Sequence, residues 1–237
     1  MPRGCEGMDY HFPRGVWATA LLIALSTLPA TAARAHSGTF LAALTDDAMK
    51  VSPFPLPRWQ TALKDIERDR YRVQQCLDET PCRDIVARPL ASLITRYSNF
   101  SGRKLLSAVN RYFNAFPYVP DQVGGKPSDD WKSPLTFLQR SGDCEDFAIA
   151  KYLTLRLLGV PEKEMAILIM HDLTRGIDHA VLLVENQRRI FVLDNLRDLT
   201  RFEAYRSYQP LFVLTNINSW RIRAVSHLSA VRPASFR

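Results

Sequence analysis

Apolar residues recur at intervals of three and four along three stretches of the first half of the chain. These are Arg58–Leu77, with Trp59, Leu63, Ile66, Val73 and Leu77; Ile85–Tyr97; and Gly102–Phe116, with Leu105, Leu106, Val109, Tyr112 and Phe113. That period predicts amphipathic helices. Val51–Pro57, with three prolines, predicts an extended arm, and Pro117–Pro134, rich in Pro, Gly and Asp around Trp131, predicts a loop. Cys144–Leu158 is apolar nearly all round, which predicts a buried helix; Gly159 and Pro161 supply its stop.

Beyond that helix the period changes. Ala166–Met170, Ala180–Val184 and Ile190–Leu193 are short continuous apolar runs. They predict strands, the last two forming a hairpin across Glu185–Arg189, with Leu211–Leu214 as a further strand. Helices followed by strands imply an α+β fold in which a helix packs on an antiparallel sheet.

The N-terminus has a different character. Arg14 precedes the uncharged stretch Val16–Leu28, which is followed by Pro29 and the small-residue run Thr31-Ala32-Ala33-Arg34-Ala35. Charge, a short apolar stretch and an A-x-A site predict a secretory signal peptide over 1–35, with an uncleaved anchor as the alternative and Met8 as an alternative start. About 200 residues then remain, enough for one domain. We assign 36–57 to the arm, 58–225 to the domain and 226–237 to a tail. Cleavage implies export, with no stable membrane insertion afterwards.

The net charge of +7 falls to about +6 on cleavage, because Arg3, Arg14 and Arg34 leave with Glu6 and Asp9. What remains is dispersed, which argues against a nucleic-acid partner. Cys5 leaves with the signal. Cys76 and Cys82, six positions apart across a turn-like segment, are suited to a local disulfide in an oxidising compartment, and Cys144 is then the free thiol.

Ser141-Gly142-Asp143-Cys144-Glu145-Asp146 opens the buried helix. A thiol in the first helical turn feels the positive end of the helix dipole, which favours the thiolate. The unpaired N–H groups there can receive an oxyanion, and Gly142 would let a substrate backbone come close. The alternative is a buried structural cysteine. His36 and His227 lie near the termini, which leaves His179 and His171 as candidate bases. A two-residue turn at Asn186-Gln187 sets His179 directly opposite Asp194, and a longer turn shifts this by about one residue. Asp143, Glu145 and Asp146 would raise the thiol pKa by like charge. They suit either a hard cation such as Ca²⁺ or a plain helix cap.

These segments resemble the bacterial transglutaminase-like cysteine proteases, periplasmic enzymes that clip large surface adhesins during biofilm dispersal. The resemblance is carried by Trp131–Leu135, Gly142-Asp143-Cys144-Glu145-Asp146-Phe147-Ala148-Ile149-Ala150-Lys151-Tyr152, Leu157–Pro161, His179–Leu182, Val192–Leu196 and, upstream, Val109–Asn114. It implies a papain/transglutaminase-like core with a Cys144-His179-Asp194 triad. It also implies calcium dependence through Asp143 and Glu145, with Asp146 a further candidate, and thereby favours the metal over the cap. The implied substrate is an adhesin linker cut near paired alanines. The implied regulator is an inner-membrane receptor that sequesters the protease when cyclic di-GMP is bound. Two other readings stand beside this one: transglutaminase or amidase acyl transfer from the same acyl-enzyme, and a non-catalytic calcium-binding interaction module.

Overall fold

Proline and short polar caps set where the helices begin. The computed structural model describes residues 40, 43–44, 49–123, 126–127, 130–205 and 207–224; the predicted signal peptide and C-terminal tail lie outside them. Helix α1, Pro57–Asp78, starts on its own proline and buries Trp59, Ala62, Ile66, Asp69, Val73 and Cys76, a stripe at helical spacing. A Cys76–Cys82 disulfide follows its last turn, so Cys144 is the free thiol among the described residues.

Helix α2, Arg88–Tyr97, begins three residues later than its apolar period predicts. The Asp84 carboxylate accepts from the N–H groups of Val86 and Ala87, both at 3.0 Å, and holds that segment as a turn. Helix α3 is Gly102–Asn114. Helix α4, Pro134–Arg140, was not foreseen: it is too short to carry a period and is fixed by Pro134 and by the Ser133 hydroxyl, which accepts from Thr136 N–H. Helix α5, Cys144–Leu157, is buried along nearly its whole length.

The strands are β1 (Met49–Pro53), β2 (Gln122–Val123), β3 (Lys126–Pro127), β4 (Met165–Asp172), β5 (Ile177–Asn186), β6 (Arg189–Leu193), β7 (Thr200–Arg201), β8 (Tyr208–Leu214) and β9 (Ser219–Ala224). Seven form one antiparallel sheet in the order β1-β9-β8-β4-β5-β6-β7, while β2 and β3 pair separately. Part of the predicted arm is therefore a strand of the sheet, paired with β9. In β9 itself, Arg221 and Arg223 alternate with Trp220 and Ile222, so no apolar run announces it.

Both faces of β5 are covered, which is why its sequence reads as unbroken apolar residues. Ala180, Leu182 and Val184 face the helices, with Ile149 and Leu153 of α5 among their neighbours. Val181 and Leu183 face a second cluster with Met170, Val213, Phe40 and Leu44.

The β5–β6 turn is Gln187-Arg188, both at positive φ (51° and 61°), and Asn186 pairs with Arg189. Leu193 consequently opposes Leu182, where the predicted turn would have set it against Ala180. The register is displaced by two residues, and because side chains alternate with a period of two, His179 and Asp194 remain on one face as diagonal neighbours.

Candidate active site

A cleft of about 380 Å³ lies at the N-terminal end of α5, with Cys144, His179, Asp143, Glu145, Tyr118 and Trp131 in its walls. Helix α5 supplies the thiol at its first residue, and the start of β5 supplies the imidazole. His179 is buried, and its Nε2 lies 2.9 Å from Asp194 Oδ1. Asp194 sits just past β6. It also accepts from the Leu196 N–H at Oδ1 and from the Tyr205 hydroxyl at Oδ2, both at 2.9 Å. Burial works to raise the Asp194 pKa, but the His179 bond and these N–H and O–H donors outweigh it and hold the carboxyl below its ordinary range. His171 lies outside the cleft walls and pairs at 2.8 Å with Asp178 on the β4–β5 hairpin.

The thiol environment is opposed to ionisation. Burial, then the Glu145 carboxylate, push the Cys144 pKa well up, while the Ala180 backbone N–H works the other way. Cys144 Sγ lies 3.3 Å from Glu145 Oε2. Glu145 is itself pushed up to about 8 by burial and by Asp143.

Asp121, Asp143 and Glu145 bring carboxylate oxygens within 4.8 Å of one another. Two ligands on opposite sides of a calcium ion lie about 5 Å apart at most, so this spacing fits one ion. Asp143 Oδ1 is buried and has no hydrogen-bond donor, and a cation would satisfy it. Asp121 was missed by sequence reasoning; like Asp146 it accepts from Lys132 Nζ, and also from the Asp130 N–H at 2.5 Å. It comes from the loop ahead of β2, which is drawn to the site where Val119 N–H donates to Gly142 O at 2.8 Å.

Asp146, a candidate ligand by sequence, is occupied elsewhere. Its Oδ1 accepts from Lys132 N–H at 2.6 Å, and its Oδ2 accepts from Lys132 Nζ at 2.9 Å and from the Asp143 N–H at 3.2 Å. It closes the N-terminus of α5 and binds the Lys132 loop. Gly142 makes room for this cap: a Cβ there would lie 2.0 Å from Asp146 Oδ2.

Residues 85–220 match the family model described as bacterial transglutaminase-like cysteine proteinase, BTLCP. No curated protein matches the chain. Among solved structures, the calcium-bound form of LapG from Legionella pneumophila is 29% identical; the match covers 66% of this chain and 87% of that one, with a TM-score of 0.52. The EGTA-treated form is 27% identical over 74% of this chain and 90% of that one, with a TM-score of 0.53.

Proposed function

Because this chain belongs to the bacterial transglutaminase-like cysteine proteinases, and is on that ground a cysteine protease, we propose that Cys144 is its nucleophile, His179 its base and Asp194 the group that orients the base. The observation that carries this assignment is the His179–Asp194 pair opening onto the same cleft as the thiol. With Nε2–H donating to Asp194, Nδ1 is the nitrogen left to take the thiol proton. The Cys144 sulfur attacks a peptide carbonyl carbon as His179 accepts that proton. The oxyanion forms beside the N–H groups at the start of α5, including that of Cys144. His179 then protonates the departing amine as the C–N bond breaks. His179 then takes a proton from a water molecule as its oxygen attacks the thioester carbonyl carbon; the C–S bond breaks and His179 returns that proton to sulfur.

We further propose that the enzyme is calcium-dependent, with Asp121, Asp143 and Glu145 as the protein ligands. Bound calcium would offset the two carboxylates that disfavour the thiolate. The calcium-bound and EGTA-treated LapG structures support this reading. The proposed compartment is the periplasm; among the described residues no helix is long and apolar enough to cross a membrane. The proposed substrate is a large surface adhesin cut in a linker, and the proposed regulator is an inner-membrane cyclic di-GMP receptor, both on the strength of the family resemblance.

The test is thiol-probe labelling of the chain without residues 1–35, in calcium and then in chelator. Fast labelling only in calcium supports nucleophile and metal together. Fast labelling in both removes the calcium dependence, and an inert Cys144 in both removes the triad.

A further inference from the structure

Lys151 is fully buried on α5, about two helical turns beyond Cys144. Its Nζ donates to Oδ1 of Asn110 and to Oδ1 of Asn114, each at 2.8 Å and both on α3. The two amides then turn their nitrogens to the segment after β6. Asn114 Nδ2 donates to Asp194 O at 2.9 Å and to Arg197 O at 3.1 Å, and Asn110 Nδ2 donates to Arg197 O at 2.9 Å.

Burying a lysine is costly, and an apolar residue would fill a helix interior at less expense. The proposed chemistry makes no use of Lys151. What an amine supplies here is polarity of one sign, since it donates at both contacts. It therefore holds both asparagine oxygens toward itself and both nitrogens toward the backbone carbonyls. A methionine or leucine would leave those amides free to turn over.

We propose that Lys151 is a positioning residue: through Asn110 and Asn114 it fixes the backbone of Asp194–Arg197 relative to the helix that carries Cys144. The cross-link runs from the nucleophile's helix through two asparagine side chains to backbone carbonyls of the acid's loop. It thereby sets where the Asp194 carboxylate meets His179. This rests on the triad proposed above.

The experiment is the rate of Cys144 alkylation by iodoacetamide in the calcium-loaded protein. The variants are Lys151→Met, Asn114→Ala, Asp194→Asn, each of the first two combined with the third, and His179→Ala. We expect Lys151→Met to slow alkylation about tenfold and Asn114→Ala to slow it in the same direction. In the Asp194→Asn background each should change the rate by less than about twofold, because the acid they position is already lost. Equal slowing in both backgrounds overturns the proposal, and so does an unchanged rate in the single variants. If Lys151→Met does not fold, the half-buried Asn114→Ala pair decides by the same criterion. The His179→Ala arm separates the two claims: alkylation as fast as in the parent would remove the triad itself, whatever Lys151 does.

Discussion

Gly142 and Asp146 compete for one space. A Cβ on residue 142 would fall 2.0 Å from Asp146 Oδ2 and 2.7 Å from its Cβ, and the carboxylate cannot retreat without releasing both Lys132 N–H and Asp143 N–H. Gly142→Ala should destabilise the protein by about 1–3 kcal/mol, as overpacking does, and slow Cys144 labelling because the start of α5 shifts. Thermal melting and probe labelling on the same sample check this. An unchanged melting temperature would mean that Asp146 has another place to go.

The Tyr205 hydroxyl donates to a carboxylate oxygen that is buried with it. Tyr205→Phe should cost about 1–3 kcal/mol for the lost bond to a charged acceptor. The Asp194 carboxyl is held below its unfolded value, so it contributes stability above the unfolded pKa and loses it as pH falls through the folded one. Removing a donor raises the folded pKa. Acid unfolding of Tyr205→Phe should therefore begin at higher pH than in the parent, which circular dichroism across an acid titration measures.

Glu145 is the nearest charge that disfavours the Cys144 thiolate. Above about pH 8, where Glu145 is ionised, Glu145→Gln should speed alkylation in chelator by about tenfold, the equivalent of one pKa unit, and the gain should fade at lower pH. It should also weaken calcium binding, measured by isothermal titration. Slower alkylation in chelator would show that Glu145 helps the thiol in some way other than through its charge.

Burial lowers the Lys151 pKa to about 7, against the pull of Asp194. Between about pH 7 and the unfolded value near 10.5 the unfolded chain then holds the extra proton, so stability rises with pH across that window. The amplitude is on the order of 5 kcal/mol. Lys151→Met removes the titrating group. The difference in denaturation midpoint between parent and variant should therefore change steadily with pH from 7 to 10.5. A constant difference would mean that the amine does not titrate in this window.

Much of the fold follows from local period: α1, α3 and α5 and the central strands all carry their burial pattern in consecutive residues. The shared face of His179 and Asp194 was legible for the same reason, since a two-residue error in register preserves which side each points to. What was not legible depends on distant contacts. Asp121 stands in a loop without pattern and reaches Asp143 only because Val119 and Gly142 pair backbones. Asp146 looks like its acidic neighbours; its cap bond from the Asp143 N–H is local, but the Lys132 contacts that hold it there come from a loop without pattern. The Lys151 network spans three elements and has no local signature at all.

The pairing of β1 with β9 joins the two ends of the described chain at one margin of the sheet. A protein trimmed to begin at Arg58 would lose Leu56 from the cleft wall and Pro57 from the start of α1, and would bare the β9 ladder with Trp220 and Ile222 along it. An unpaired margin of that kind recruits another molecule's strand. Shortening the amino end to the apparent start of the helices would thus turn a paired boundary into a site of self-association.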